Sequence, residues 1–234
     1  MDVAALAEEF TRGKVILLNK PLYWTSFDLV RKVKSVIRSQ LNLKKIKVGH
    51  AGTLDPLATG LMLVCTGKET SNIEQYQGSF KEYIAKITLG STTPSFDLET
   101  DIDMRYPVDH ITADRVNAVL ATFKGVQYQA PPHFSARMVN GTRAYKLARK
   151  GETVTLTAKE IDIREIEMIS FAMQQIEIRV LCSKGTYIRA LARDIGLRLD
   201  SGAHLAGLVR TAIGSFALND ALSIEDFERN LVLL

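Results

Sequence analysis

Residues 48–60 read VGHAGTLDPLATG, and Asp55 is the one charged side chain among them. Gly49, Gly52 and Gly60 permit tight main-chain paths. Pro56 fixes its own φ and holds Asp55 in extended geometry. Leu54, Leu57, Leu61 and Leu63 surround that carboxylate with hydrocarbon. A carboxylate held this way suits a nucleophile or a general base. The competing reading is an Asx-turn, in which Asp55 caps its own loop. A second candidate is Tyr83, in KEYIAKITLG at 81–90. The alternation puts Tyr83, Ala85, Ile87 and Leu89 on one strand face. Such a tyrosine either anchors the sheet or offers a π face and a proton-transfer group. A third is Arg189, near the start of a helix in SKGTYIRALARDIG at 183–196. A cation gains nothing from the dipole at that end, so Arg189 is expected to pair with a carboxylate. Asp194 on the same helix is one choice, although the i,i+5 spacing is poor.

These groups need elements to hold them. KVILL at 14–18 reads as a strand. Ser26 is a candidate N-cap for a helix with Leu29, Val33, Val36 and Ile37 on its apolar stripe. LMLVC at 61–65 reads as a buried strand, and residues 67–79 as a helix or turn. Thr112 can cap a helix that buries Val116, Val119, Leu120 and Phe123. One or two strands span 153–171, and Ile176, Ile178, Val180 and Cys182 mark another. Gly185 makes a turn into a helix with Ile188, Leu191, Ala192, Ile195 and Leu199 buried. Ser223 can cap a short last helix.

The chain has 234 residues, enough for a large core without staples. No run approaches the ~20 apolar residues that span a bilayer, so no membrane association is expected. The N-terminal MDVAALAEEFTRG lacks the pattern of a signal peptide. Cys65 and Cys182 lie in apolar runs and read as buried free thiols, which fits a reducing cytoplasm. Four histidines and two cysteines show no metal-ligand spacing, so no metal is expected. Net charge is a mild +4, but RKVKSVIR at 31–38, KKIK at 44–47 and RMVNGTRAYKLARK at 137–150 concentrate cations. Blocks of this kind beside candidate site segments favour a phosphate backbone as partner.

The stretch around Asp55 resembles G-H-x-G-x-L-D-P-x-A-T-G, the signature of the TruB family of tRNA pseudouridine synthases. NKPLYWTS at 19–26 is similar to the family's D-K-P-x-G-x-T-S, with Asn19 where aspartate is usual and Tyr23 where glycine is usual. Residues 81–85 resemble K-x-Y-x-A. PPHFSARMVNGTRAYKLAR at 131–149 resembles P-P-x-x-S-A-x-K-x-x-G-x-R-A-Y-x-x-A-R, with Met138 in place of lysine and Arg137 beside it. CSKGTYIR at 182–189 and LVRTAIGSF at 208–216 also look like family segments.

The resemblance implies an α+β pseudouridine synthase fold: a largely antiparallel mixed sheet, flanking helices and a central active-site cleft. It implies one catalytic domain over 1–234, a thumb at about 131–151 that clamps RNA, and no C-terminal PUA domain. The implied enzyme is an intramolecular isomerase. It turns uridine 55 in the T arm of tRNA into pseudouridine by base flipping, without a cofactor. Asp55 is implied as the catalytic residue, salt-bridged by Arg189, with Tyr83 stacking on the base and acting as general base. His50, Tyr187 and Leu208 are implied to shape the pocket, and Arg137, Arg143 and Arg149 to grip RNA. Lys20 either supports the loop or contacts RNA, unless it is a plain surface lysine. A monomer is expected. The alternatives are an RNA-binding or tRNA-folding protein on this scaffold, and a glycosidase-like hydrolase. The latter lacks a second carboxylate in a comparably ordered motif.

Overall fold

A computed structural model describes residues 3–135, 137–139, 141–148, 150–151 and 156–232. In chain order the elements are α1 (Val3–Arg12), β1 (Val15–Lys20), α2 (Ser26–Gln40), β2 (Val48–His50), β3 (Ala58–Thr66), α3 (Ile73–Gly78), β4 (Lys81–Leu89), β5 (Ser91–Thr92) and β6 (Met104–Arg105). They continue as α4 (Ala113–Ala121), β7 (Gly125–Gln129), β8 (Met138–Val139), β9 (Thr142–Arg143), α5 (Ala144–Ala148), β10 (Lys159–Ala172) and β11 (Gln175–Cys182). The last are α6 (Ile188–Arg198), β12 (Ala203–Ile213), β13 (Phe216–Ala217) and α7 (Ile224–Val232). The strand order of the main sheet is β1-β3-β12-β4-β11-β10-β7, with β2 also on β3 and β13 on β12. Helices flank it, as an α+β fold requires. The chain packs into two compact units, one of residues 1–83 and 209–234, the other of 84–208.

In the first unit β3 is the organising strand. It pairs antiparallel with β1 from Val15↔Cys65 to Lys20↔Gly60. It also pairs with β2, His50 opposite Val64. The ladder runs one residue further, Ala51 N–H donating to the Leu63 carbonyl at 2.9 Å. The β2–β3 turn therefore covers only the stretch that carries Asp55. Ala51, Leu61, Leu63 and Ile213 form a buried cluster, with Val15, Leu17, Tyr76 and Phe216 packed on it.

The cap of α2 differs from the sequence expectation by one residue, and the reason matters. Thr25 is the N-cap: its hydroxyl accepts from Asp28 N–H, and the Asp28 carboxylate accepts from Thr25 N–H, a reciprocal box. Ser26 is left free for another task. Its buried hydroxyl accepts from Leu54 N–H at 2.8 Å and donates to the Leu54 carbonyl at 3.0 Å. The first turn of α2 is thereby tied to the residue before Asp55. Leu29, Val33, Val36 and Ile37 are buried as expected. Ser223 caps α7, accepting from Asp226 N–H, and Lys32 of α2 meets Glu228 of α7 at 2.5 Å. The N-terminal residues form α1, which the sequence reading did not assign; its Leu6 and Phe10 are buried.

In the second unit the one or two strands expected over 153–171 are a single long strand, β10; residues 152–155 lie outside the described residues. It pairs with β11 (Ile163↔Cys182) on one side and β7 (Ile163↔Gly125) on the other. β7 was not foreseen. Its Val126 and Tyr128 are exposed, so it lacks the apolar face that announces a strand. Thr112 caps α4 as expected, and α6 buries Ile188, Leu191, Ala192 and Ile195. The basic 131–149 stretch holds the β8–β9 hairpin, turned at Gly141, and then α5.

One glycine governs the packing at the start of β3. Gly60 has φ +105°, and a methyl group there would overlap the main chain of Arg210 on β12. We expect Gly60→Ala to destabilise the fold by about 2–4 kcal/mol in urea unfolding. Gly78→Ala, which meets open space, is expected to shift stability by no more than about 1 kcal/mol.

Candidate active site

In the first unit three buried cations surround the Asp55 loop. Lys20, at the end of β1, is 0% exposed. Its ammonium donates to the carbonyls of Pro21 (2.9 Å), Trp24 (2.7 Å) and Pro56 (3.5 Å). Lys20 thus supports the loop from within and has no surface to offer a phosphate. Arg210, on β12, is 1% exposed and donates from Nε to the Leu61 carbonyl (2.7 Å) and from Nη2 to the Gly52 carbonyl (3.1 Å). Lys81, at the start of β4, is also buried and donates to the Gln77 and Ser79 carbonyls.

The described hydrogen bonds of Lys20 and Arg210 end on neutral main-chain carbonyls. Those bonds meet the donors' needs without cancelling the charge. Burial pushes the Lys20 ammonium down to about 8, opposed by the Asp55 carboxylate and reinforced by the Arg210 guanidinium. Asp55 itself is half-buried, and its carbonyl accepts from Ala58 N–H at 3.0 Å, closing the turn into β3.

His50 ends β2. Burial lowers its pKa; the Gly52 main chain opposes this and the Arg210 guanidinium adds to it. The ring is therefore neutral at pH 7. Among the described residues its Nδ1 has no hydrogen-bond partner. Tyr83 lies on the buried face of β4 with 9% exposure. Asn19, which stands in place of the family aspartate, accepts from Gly60 N–H through its side-chain oxygen at 3.2 Å. It keeps the hydrogen bond that a carboxylate would accept there and carries no charge.

In the second unit Arg189 is 5% exposed, and its Nε lies 3.6 Å from Oδ2 of the equally buried Asp97. Its Nη1 donates to the Ser95 carbonyl at 3.3 Å. Asp194, the same-helix candidate, is engaged by Arg193 at 2.7 Å instead. Asp97 is held in turn: its Oδ1 accepts from Glu99 N–H, and its carbonyl accepts from the Thr93 and Ser95 hydroxyls. Tyr187, the N-cap of α6, exchanges two hydrogen bonds with the side chain of Gln129, one through its N–H and one through its carbonyl. Leu208 is half-buried on β12.

Arg137 donates to the Thr157 carbonyl at 3.0 Å, and Met138 is exposed. Arg143 falls on β9, and Arg149 lies outside the described residues. The structure thus gathers Lys20, His50 and Asp55 around one loop in the first unit, and sets Arg189 and Tyr187 on one helix start in the second.

Sequence reasoning missed the support carried by Ser26, Arg210, Asp97 and Gln129. Arg210 carried a faint signal, as a lone cation inside the apolar run HLAGLVRTAI. Ser26 reads as a helix cap, and Asp97 and Gln129 look like ordinary turn or edge residues.

Comparison with known proteins identifies the family. The model described as "TruB family pseudouridylate synthase (N terminal domain)" matches residues 38–188. The model described as "tRNA pseudouridylate synthase B C-terminal domain" matches residues 189–234. A curated tRNA pseudouridine synthase B from Phocaeicola vulgatus is 58% identical over 93% of this chain and 93% of its own. One from Flavobacterium johnsoniae is 47% identical over 96% and 98%. Among solved structures, a chain of a Cbf5-Nop10-Gar1 complex superposes with TM-score 0.71 and 28% identity, over 95% of this chain and 55% of that one. A chain of an H/ACA RNP bound to a substrate RNA containing 2'-deoxyuridine gives 0.68 and 26%, over 96% and 55%. This chain spans about half the length of those two solved chains. Both matched models are those of pseudouridylate synthases. Within that class, the chain belongs to the TruB family.

Two outcomes test the electrostatics. The folded Lys20 value of about 8 lies below the ordinary 10.5. Between those pH values the unfolded chain holds a proton that the folded chain has lost. Stability from this group therefore rises with pH across that window, and the burial cost is fully present below it. Urea titrations at pH 8 and pH 10 should show wild type gaining on Lys20→Met as pH rises; a constant difference would contradict the assignment. Asp97→Ala takes one buried carboxylate from beside the Arg189 guanidinium and should destabilise the fold by about 1–3 kcal/mol, with Asp97→Asn costing less in the same assay.

Proposed function

We propose that this chain isomerises the uridine at position 55, in the T arm of tRNA, to pseudouridine. The N1–C1′ bond breaks, the uracil turns, and C5 joins C1′. The C5 proton leaves to solvent and N1 takes one up, so the product is an isomer of the substrate. The observation that carries the reading is the half-buried Asp55 loop framed by the buried Lys20, Arg210 and Lys81. A loop tied at Leu54, Pro56 and Gly60 presents its carboxylate with little reorganisation during reaction. The family match and the 58% identical relative support the same reaction.

The roles follow the chemistry of the residues. Asp55 attacks C1′ or acts near C2′. Because the target base is stacked inside folded RNA, it is flipped out before reaction. Tyr83 stacks on the extruded ring and takes the C5 proton. Leu208 and Tyr187 pack around the base, and the neutral His50 fills space opened by flipping. Arg189, anchored by Asp97, gives the carboxylate electrostatic support. The basic stretch over 137–149 grips T-arm phosphates. Two buried thiols, Cys65 and Cys182, are consistent with work in the cytoplasm, and a monomer suffices for every role named.

The test is tritium release from C5-labelled uridine in an unmodified tRNA transcript. Wild type should release tritium from one site without added cofactor. Asp55→Ala should release none while keeping tRNA affinity within about threefold, since one loop carboxylate supplies none of the phosphate contacts that dominate affinity. Normal turnover by that variant would overturn the mechanism.

A further inference from the structure

The turn before α2 and the first turn of that helix expose aromatic surface that folding does not require. Tyr23 is 74% exposed and Phe27 68% exposed, with Leu22 at 44%. Tyr23 also has φ +67°, a left-handed conformation that a bulky L residue adopts at a cost. The main chain demands that conformation, because Tyr23 N–H donates to the Pro56 carbonyl at 2.8 Å, one residue past Asp55. Glycine would meet the demand more easily. The ring offsets nothing by burial, so the fold gives no account of why it is there.

The surface beyond Phe27 is cationic. Phe27, Arg31, Lys34 and Arg38 follow one another at spacings of four, three and four, which puts them on one face of α2, and all are exposed. The Arg31 guanidinium lies 5.8 Å from the centre of the Phe27 ring and 2.7 Å from Asp28. Arg38 makes a long hydrogen bond to the Leu43 carbonyl. Asp28 is the only acidic residue of the helix. Aromatic rings leading into a row of cations match the two chemistries of single-stranded nucleic acid, base faces and phosphates.

We infer that Tyr23 and Phe27 form a stacking platform for an unpaired nucleobase of the substrate RNA other than the target uridine, with Arg31, Lys34 and Arg38 carrying the adjoining phosphates. This rests on the tRNA reading above. It adds a binding site that is anchored to the catalytic loop through Pro56. The base must be unpaired, because duplex bases have both faces covered.

The experiment measures the affinity of the full chain for an unmodified tRNA transcript across a salt series. The double variant Tyr23→Gly/Phe27→Ala should bind about tenfold more weakly, the effect of a lost stacking contact. Its slope of log K against log salt should stay that of wild type, because stacking releases no counterions. Lys34→Ala/Arg38→Ala should instead flatten the slope by about 1–2. Tyr23→Phe, which keeps the ring, should retain wild-type affinity. Urea unfolding checks that the glycine variant is folded, as its relaxed backbone leads us to expect.

Unchanged affinity in the aromatic variant overturns the platform. A loss of affinity accompanied by a flattened slope also overturns it, since the contact would then be ionic. So does unchanged RNA affinity with a loss of self-association in sedimentation, which would make the patch a contact between copies of the chain. Tritium release by wild type is scored separately. Its absence would count against the proposed reaction, whereas normal release with unchanged affinity in the aromatic variant would remove only the platform.

Discussion

A buried cation that is satisfied by neutral carbonyls keeps its field. Lys20 and Arg210 are each held this way around the loop that carries Asp55. Had carboxylates satisfied them, the interior would be neutral there, and a loop anion would gain little from being placed among them. The arrangement is costly, since burial alone pulls the Lys20 ammonium well below its ordinary value. A chain of this size can tolerate that cost because β3 and the Leu61–Leu63–Ile213 cluster beside it are buried almost without interruption.

The same cations also shape the main chain. Lys20 reaches the Pro56 carbonyl and Arg210 reaches that of Gly52, on opposite sides of Asp55 in the sequence. Ser26 holds Leu54 by both its N–H and its carbonyl. The loop is therefore fixed by side chains from β1, α2 and β12, and its rigidity does not depend on proline and glycine alone. In the proposed reaction this counts directly. A carboxylate that acts on one carbon of a sugar loses rate quickly with misplacement.

The second unit solves a parallel problem with the opposite device. Arg189 is buried against a carboxylate, Asp97, which is itself held by a main-chain N–H. A buried ion pair adds little net stability but penalises any rearrangement that separates its members. It therefore acts as a positioning element for the start of α6. Gln129 holds Tyr187 at that same helix start through two hydrogen bonds.

The sequence by itself determined the elements whose signal is local. The stripe of α2, the alternation of β4 and β11, and the caps at Thr112 and Ser223 follow from short-range periodicity and hydroxyl chemistry. The same kind of signal marks Asp55 as a candidate, a Gly- and Pro-bounded carboxylate within an apolar stretch of thirteen residues. Family resemblance added the reaction. Tertiary structure alone decided which groups answer those residues. Ser26 yielded the cap to Thr25 because Leu54, 28 residues away, needed its hydroxyl. Arg189 lies against Asp97, 92 positions earlier, rather than Asp194 on its own helix, and Lys20 turned inward because three carbonyls converge there. Such partners lie far apart along the chain. Hydrogen bonds and ion pairs reach only a few ångströms, so the path of the folded chain sets them and no local pattern announces them.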